Sequence, residues 1–149
     1  IRFATAGIVV YVTGIRDMKK MGGLIHKMQI TATLWIIAAT ILTGVPLTSG
    51  FTGKWILFTG VFGAYPSYVG QAIAILGILA TILTAVYTFG AAKRIFFGPL
   101  KPELANDSKI RDPPLTMTIP LLILAVISII IGLYPKPILE LFHSVIGLI

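Results

Sequence analysis

Residues 44–54 read GVPLTSGFTGK, and this stretch decides how the chain folds. It lies within a long apolar region, in which Lys54 is the only charged residue from Gln29 to Ala92. Pro46 lacks a backbone N–H and has a glycine on either side, so a helix that enters this stretch is predicted to break within it. A charged side chain in hydrocarbon costs about 2.5–3.5 kcal/mol on insertion scales, and Lys54 therefore indicates an ion pathway.

The composition predicts an integral membrane protein. Of the 149 residues, 56% are hydrophobic and only 11% are charged. The mean hydropathy is +0.96. A water-soluble domain of this size could not bury so much apolar surface. The net charge of +7 is confined to short segments between apolar stretches, which argues against nucleic acid as a partner. The chain has no cysteine and no nucleotide-binding glycine motif, so no cofactor is predicted.

Polar loops and prolines divide the chain into apolar segments of one all-α membrane domain, residues 1–149. The loops are residues 15–28, with four basic residues against Asp17, and residues 93–114, with five basic residues against three acidic ones. Residues 1–14 are too short to cross a bilayer and are predicted to be the end of a helix that is completed elsewhere. The remaining predicted segments are a broken helix at 29–64, helices at 68–92 and 115–134, and a short tail helix at 138–149.

The segment 29–64 allows two topologies. If it crosses the membrane twice, the two basic loops face opposite sides. If it crosses once as a discontinuous helix, both loops face the same side. Basic loops concentrate on the cytoplasmic side of cell or organellar inner membranes, and this rule favours one broken crossing with residues 15–28 and 93–114 both cytoplasmic.

The depth of Lys54 in the bilayer depends on which of these two topologies is adopted. After a break, Lys54 lies near the middle of the bilayer, where a desolvated amine can gain and lose a proton near neutral pH. In a straight helix from Gln29, at ~1.5 Å per residue, it reaches the far interface beside Trp55 as a snorkelling anchor. Within a membrane, irregular backbone is tolerated only where it is buried in protein or lines a water-filled cavity. The ion sites of transporters are of this kind. The break itself is assigned to Gly44, Pro46 and Gly50.

Hydroxyl side chains could extend an ion path from this break. On the next helix, threonines at i, i+3 and i+7 form one stripe that leads toward Lys93. The alternative is that these threonines serve helix packing, which is common in membranes. The candidate path residues are Thr43, Thr48 and Ser49 at the break and Thr81, Thr84 and Thr88 on the stripe.

Other polar residues are weaker candidates. Glu140 and His143 lie three apart on the tail helix, and without a third ligand they predict a hydrogen-bonded pair, not a metal site. No catalytic residue is predicted. Gly77 and Gly90 are predicted to permit close helix contacts.

Three strings carry a family resemblance: TGIRDMKKMGGLIHKM, GVPLTSGFTGKWILF and GLYPKPILELFHSVIG. Together they resemble the last third of antiporter-like membrane subunits. These occur in respiratory complex I, Mrp cation/proton antiporters, and the membrane arms of hydrogenases and related reductases. The third string is most similar to the complex I chain M and Mrp D-type branches. The resemblance implies an ionisable residue on a discontinuous helix at the position of Lys54, which is glutamate in the chain M branch.

The resemblance implies a membrane-arm subunit of a redox-driven complex that translocates protons or sodium ions. Lys54 would be the proton carrier, and the chain itself would carry no redox chemistry. The implied partners are the lipid bilayer and other membrane subunits, including one that completes the antiporter fold. The alternative is a truncated paralogue that serves as a non-conducting structural or assembly subunit.

Overall fold

The computed structural model describes residues 1–64, 68–107 and 109–146, and every regular element in these ranges is helical. Two short 3₁₀ turns, Met18–Lys20 and Leu24–His26, lie in the first polar loop. The helices are α1 (Arg2–Thr13), α2 (Gln29–Thr43), α3 (Ser49–Ala64), α4 (Tyr68–Ile95), α5 (Pro102–Ala105), α6 (Leu115–Leu133) and α7 (Lys136–Ile146).

Helices α4 and α6 are long and apolar enough to span a bilayer. Helix α4 has 28 residues and α6 has 19, against the ~20 that a crossing needs. Most of their large apolar side chains are exposed in the isolated chain, which suits contact with lipid or with other membrane helices. Helices α1 and α2 are shorter and also apolar.

The chain divides into two compact units. The first comprises Ile1–Ala39 and Thr84–Ala125. Its core is aromatic and aliphatic, with the Trp35 and Phe96 rings packed edge to face at 5.5 Å between centroids. Leu24 and Met28, from the end of the first polar loop, are fully buried in the same core. The loop is therefore folded against the helices and is not a free connection.

The two polar loops bind each other within this first unit. Ile25 N–H donates to the Phe96 carbonyl at 3.1 Å, and Lys27 Nζ donates to the carbonyls of Ala105 and Asp107 at 2.6 and 2.8 Å. Lys101 Nζ also donates to the carbonyl of Lys19. We call residues 15–28 and 96–114 the paired loops, because these contacts place them at the same end of the unit.

A carboxylate from the second of the paired loops caps α2. Asp112 accepts hydrogen bonds from the backbone N–H groups of Ile30 and Thr31 at 3.1 and 3.0 Å. It also accepts one from the Thr31 hydroxyl at 3.0 Å. The first N–H groups of a helix have no partner within the helix, and an acidic side chain there is favoured by the helix dipole.

The second unit comprises Thr40–Leu83 and Val126–Ile149. A Cβ atom on Gly77 would lie 2.6 Å from the Phe58 ring, so α3 and α4 approach closely there as the sequence predicts. The corresponding prediction for Gly90 is wrong within the described residues, because a Cβ atom there would meet nothing within 4 Å. The side chain of His143 lies outside the described residues, and with it the predicted pair with Glu140.

Candidate ion-translocation site

The stretch between α2 and α3 is not helical. Helix α2 ends at Thr43 and α3 begins at Ser49. Gly44 has a φ of 77°, a conformation that glycine adopts without the steric penalty of a side chain. Leu47 has a φ of 76°, and no other non-glycine residue in the described part of the chain has a positive φ. The backbone is therefore not helical between these two helices.

The start of α3 packs directly on the end of α2. A Cβ atom on Gly50 would overlap the carbonyl oxygen of Ile41, so only glycine fits at this contact. A Cβ atom on Gly132 would similarly lie within 2.5 Å of the Leu47 carbonyl oxygen, which brings α6 against the same stretch. The glycines thus hold the irregular backbone between two helices.

Lys54 Nζ lies at the end of α2. It donates a hydrogen bond to the Leu42 carbonyl at 2.8 Å. In an uninterrupted helix that carbonyl would accept from the N–H of the residue four positions later, which is Pro46 and has none. The proline thus releases a carbonyl oxygen that the lysine binds. The Lys54 side chain is half-buried in this chain.

The hydroxyl groups near the break mostly bond to their own backbone. Thr43 donates to the Thr40 carbonyl at 3.1 Å, and Thr48 donates to the Val45 carbonyl at 2.7 Å. Thr81 donates to Gly77 in the same way, at 3.0 Å. Bonds of this kind satisfy a threonine within a membrane helix without a second helix.

Two polar contacts join α3 to α6, and the sequence analysis did not find them. The hydroxyl groups of Ser49 and Ser128 lie within hydrogen-bond distance of each other. Thr52 donates to the Gly132 carbonyl at 3.4 Å. The available signal was that Ser128 is the only side chain with a hydroxyl group between Thr118 and Tyr134.

The far end of the threonine stripe meets an arginine. Thr88 is fully buried and accepts a hydrogen bond from Arg2 Nη1 at 2.8 Å. The Arg2 guanidinium also lies 5.0 Å from the Tyr87 ring centroid and 5.7 Å from that of Trp35. Thr84 lies one turn before Thr88 and is half-buried. The sequence alone does not indicate a role for Arg2, because the residues that it contacts are far from it along the chain.

No group of three or more histidine, cysteine, aspartate or glutamate residues in residues 1–64, 68–107 and 109–146 is arranged to hold a metal ion. The polar chemistry of the site is therefore that of one amine, backbone carbonyls and hydroxyl groups.

Comparison with known proteins identifies the family. Residues 2–89 match the model of the NADH:quinone oxidoreductase/Mrp antiporter transmembrane family, a match that covers α1 to α3, most of α4 and the break between α2 and α3. The chain belongs to this family. The antiporter-like resemblance carried by the three sequence strings is thereby confirmed.

Two Mrp proteins are among the relatives. The chain is 34% identical over 139 residues to the A1 subunit of the Na(+)/H(+) antiporter from Staphylococcus aureus strain JH9. It is 33% identical over 140 residues to the corresponding Na(+)/H(+) antiporter subunit of Alkalihalophilus pseudofirmus. These matches cover 89% and 90% of the chain but only 17% of each relative, so this family member spans about a sixth of their length.

A solved structure has the same fold. The chain superimposes on part of the membrane-bound sulfane sulfur reductase, an archaeal respiratory membrane complex, with a TM-score of 0.78 and 28% sequence identity. The match covers 89% of this chain and 21% of the reductase chain. The all-helical membrane fold predicted from the sequence is therefore that of an antiporter-like membrane protein.

Proposed function

We propose that this chain forms part of a cation-translocating path in a multisubunit, redox-driven membrane complex, with Lys54 as a proton carrier on a discontinuous helix. The observation that carries this proposal is the hydrogen bond from Lys54 Nζ to the Leu42 carbonyl, a carbonyl that Pro46 leaves without its helical donor. The membership of the antiporter family supports the translocation of cations.

The paired loops support a single crossing by residues 29–64. We propose that α2 and α3 together take the chain once across the bilayer, because α2 follows one of the paired loops and α4 precedes the other along the chain. Helices α2 and α3 together have 31 residues and α4 has 28, so each total is enough for one crossing, which needs ~20 residues. We propose that residues 15–28 and 93–114, which carry an excess of basic residues, face the cytoplasm of the cell.

The position of Lys54 supports the broken helix over the straight one. In a straight helix the Cα atoms of Leu42 and Lys54 would be ~18 Å apart, at ~1.5 Å per residue. In the fold described here, Lys54 Nζ lies 2.8 Å from the Leu42 carbonyl oxygen. We propose that the amine lies inside the hydrocarbon layer, ~30 Å thick, because the Leu42 carbonyl is ~20 Å along α2 from Gln29.

The bond to Leu42 suits a group that changes protonation state. An ammonium and a neutral amine both carry N–H donors, so the same carbonyl can hold Lys54 Nζ before and after it releases a proton. A guanidinium could not replace it, because arginine does not deprotonate in proteins. We propose that Thr43, Thr48 and Ser49 place hydroxyl groups along the approach to Lys54, and that Thr81, Thr84 and Thr88 continue the approach on α4.

We propose that the amine is shielded further by membrane helices outside these 149 residues. The Mrp relatives are named as antiporter subunits, and the reductase is a respiratory membrane complex. The partners proposed for this chain are accordingly other membrane subunits and the polypeptide that completes the antiporter-like fold. No nucleic acid is proposed.

The test replaces Lys54 with alanine in the assembled complex. We expect coupled cation movement, measured as a pH gradient with a quenching dye in inverted vesicles, to fall at least about tenfold, because the proton carrier is gone. The redox activity of any peripheral arm should be partly retained. Lys20→Ala is the matched control, since Lys20 is an exposed lysine in the first polar loop.

An unchanged pH gradient in Lys54→Ala would contradict the proposal. That result would favour the alternative of a structural subunit that conducts no ions. Loss of both transport and assembled complex would assign Lys54 to folding, so the amount of complex is measured in the same membranes.

A further inference from the structure

We propose that Arg2 binds a carboxylate carried by a membrane helix outside this chain, and that this helix packs on the exposed face of α1. The inference rests on the proposed function only for the topology that places α1 in the membrane. It assigns to Arg2 a docking role that is separate from ion transport.

Arg2 lies deep in the membrane on this topology. Helix α1 runs for 12 residues from Arg2 to Thr13 and then enters the paired loops. At ~1.5 Å per residue the Arg2 Cα is ~16 Å from Thr13, which is about half of a hydrocarbon layer ~30 Å thick. A lipid phosphate lies at the edge of that layer, too far away to neutralise this guanidinium.

The contacts within the chain position the guanidinium without neutralising it. Arg2 donates one hydrogen bond to the Thr88 hydroxyl and lies over the rings of Tyr87 and Trp35. A guanidinium has five N–H donors, stays charged and binds carboxylates with two parallel hydrogen bonds. The buried Trp35 Nε1–H also has no hydrogen-bond partner among the described residues. Arg2 thus has N–H donors beyond the one bound to Thr88, and the neighbouring Trp35 Nε1–H has no acceptor among the described residues.

This chain cannot supply the carboxylate from its own membrane helices. The full sequence has five acidic residues, and none lies in α1, α2, α3, α4 or α6. Four belong to the paired loops and one to α7: Asp17, Glu103, Asp107, Asp112 and Glu140. An anion at the depth of Arg2 must therefore come from another polypeptide segment, because an unpaired charge in hydrocarbon is costly.

The exposed face of α1 suits a second helix. Phe3 and Tyr11 are 96% and 72% exposed, and Gly7 lies between them on the same face. A Cβ atom on Gly7 would meet nothing within 4 Å, so the backbone is open to close approach. Small residues between larger ones are typical of contacts between membrane helices. A helix seated there would bring an aspartate or glutamate beside Arg2.

The first experiment compares three substitutions of Arg2 in the full complex in its native membrane. We expect Arg2→Lys to assemble better than Arg2→Gln but less well than the wild type, because it keeps the charge and loses the two parallel hydrogen bonds. Arg2→Gln should lower the recovered complex roughly tenfold, since it leaves the partner carboxylate unpaired. Arg2→Glu should lower it further by repulsion between like charges. An Arg2→Glu variant that assembles as well as Arg2→Gln would overturn the proposal.

The second experiment identifies the partner even if the variants fail to assemble. A photoreactive benzoyl-phenylalanine at Phe3 is cross-linked in membranes, and the adduct is mapped by mass spectrometry. We expect an adduct on a membrane helix that has an aspartate or glutamate within about one turn of the cross-linked residue. The control site is Tyr68, which is 90% exposed at the start of α4. Adducts at Phe3 with lipid alone, or with a helix that lacks an acidic residue, would overturn the proposal.

The two proposals fail in different ways. Lys54→Ala should abolish transport and leave the Phe3 adduct in place. If Lys54→Ala transports normally while the Arg2 series and the adduct behave as expected, the proposed function is wrong and the docking role stands. Arg2 variants with a normal yield of complex would leave Lys54 unaffected and remove the docking role.

Discussion

Lys27 in the paired loops and Lys54 at the break make the same kind of contact in different surroundings. Lys27 Nζ binds the carbonyls of Ala105, the last residue of α5, and Asp107 just beyond it. Lys54 Nζ binds the carbonyl of Leu42 in the last turn of α2. In both places an ammonium group occupies the negative end of a helix, which the helix dipole favours.

The difference lies in the segment around each lysine, since both side chains are half-buried. Lys27 belongs to a polar loop that is rich in charged residues. Lys54 stands alone in an apolar segment, where the charged form is expensive. On the proposed function, binding a helix end is structural at Lys27 and would serve proton transfer at Lys54.

The largest effect is expected when arginine replaces Lys54, and the same replacement at Lys27 is the comparison. Lys54→Arg should lower coupled transport at least about tenfold, because a guanidinium does not release its proton. Lys27→Arg should transport normally, because its role needs only a positive charge. Both variants are compared by the pH gradient in inverted vesicles at equal amounts of complex. Transport by Lys54→Arg at the wild-type level would show that Lys54 is also a fixed cation.

A glycine comparison tests the packing of the break. Gly50→Ala should lower stability by about 1–3 kcal/mol or more, because its Cβ would overlap the Ile41 carbonyl. Gly53→Ala, three residues later on α3, should be neutral or slightly stabilising, since a Cβ there meets nothing within 4 Å. Thermal unfolding in detergent measures both. Equal melting temperatures for the two variants would contradict the packing of α3 on α2.

A third comparison tests the cap that Asp112 in the paired loops places on α2. Asp112→Ala should cost about 1–2 kcal/mol, because it removes the acceptor for the N–H groups of Ile30 and Thr31. Glu103→Ala is the control, since Glu103 is an exposed acidic residue in the same loop. The readout is the shift in thermal midpoint. A larger loss for Glu103→Ala than for Asp112→Ala would be evidence against the cap.

The smallest effect is a gain at Leu47. Leu47 has a φ of 76° and is 65% exposed, so Leu47→Gly should stabilise the chain by about 1 kcal/mol through relief of strain. Val45→Gly, at an exposed residue of the same stretch without a positive φ, should instead destabilise it by about 0.5–1 kcal/mol. The same melting measurement separates them. A loss of stability in Leu47→Gly would indicate that its side chain packs against another polypeptide.

The sequence predicts the local features of the site better than its long-range contacts. Gly44 and Pro46 mark an irregular stretch because their backbone chemistry disfavours a helix, whereas Gly50 lies inside α3, where it packs on Ile41. Lys54 stands out because it is isolated among apolar residues. The all-helical membrane fold and the family follow from the same hydropathy pattern and the three sequence strings, and the comparisons confirm both.

The contacts that the sequence misses join residues about 80 positions apart. Arg2 meets Thr88, Asp112 meets Thr31, and Ser49 meets Ser128. Each pair depends on which helices become neighbours, and the periodicity of one segment carries no information about that. The shielding of Lys54 stays a prediction for a related reason, since it depends on helices outside this chain. The roles of the hydroxyl groups at the break and on the stripe also stay predictions.

The bond between Lys54 and the Leu42 carbonyl has an electrical consequence. A charge that crosses the whole membrane gains or loses about 2.3 kcal/mol per 100 mV. On the proposed topology, a proton that reaches Lys54 from the paired loops has travelled ~20 Å of a ~30 Å hydrocarbon layer. Its occupancy at the amine would therefore respond to voltage by roughly 1.5 kcal/mol per 100 mV. The membrane potential would act on this side chain directly.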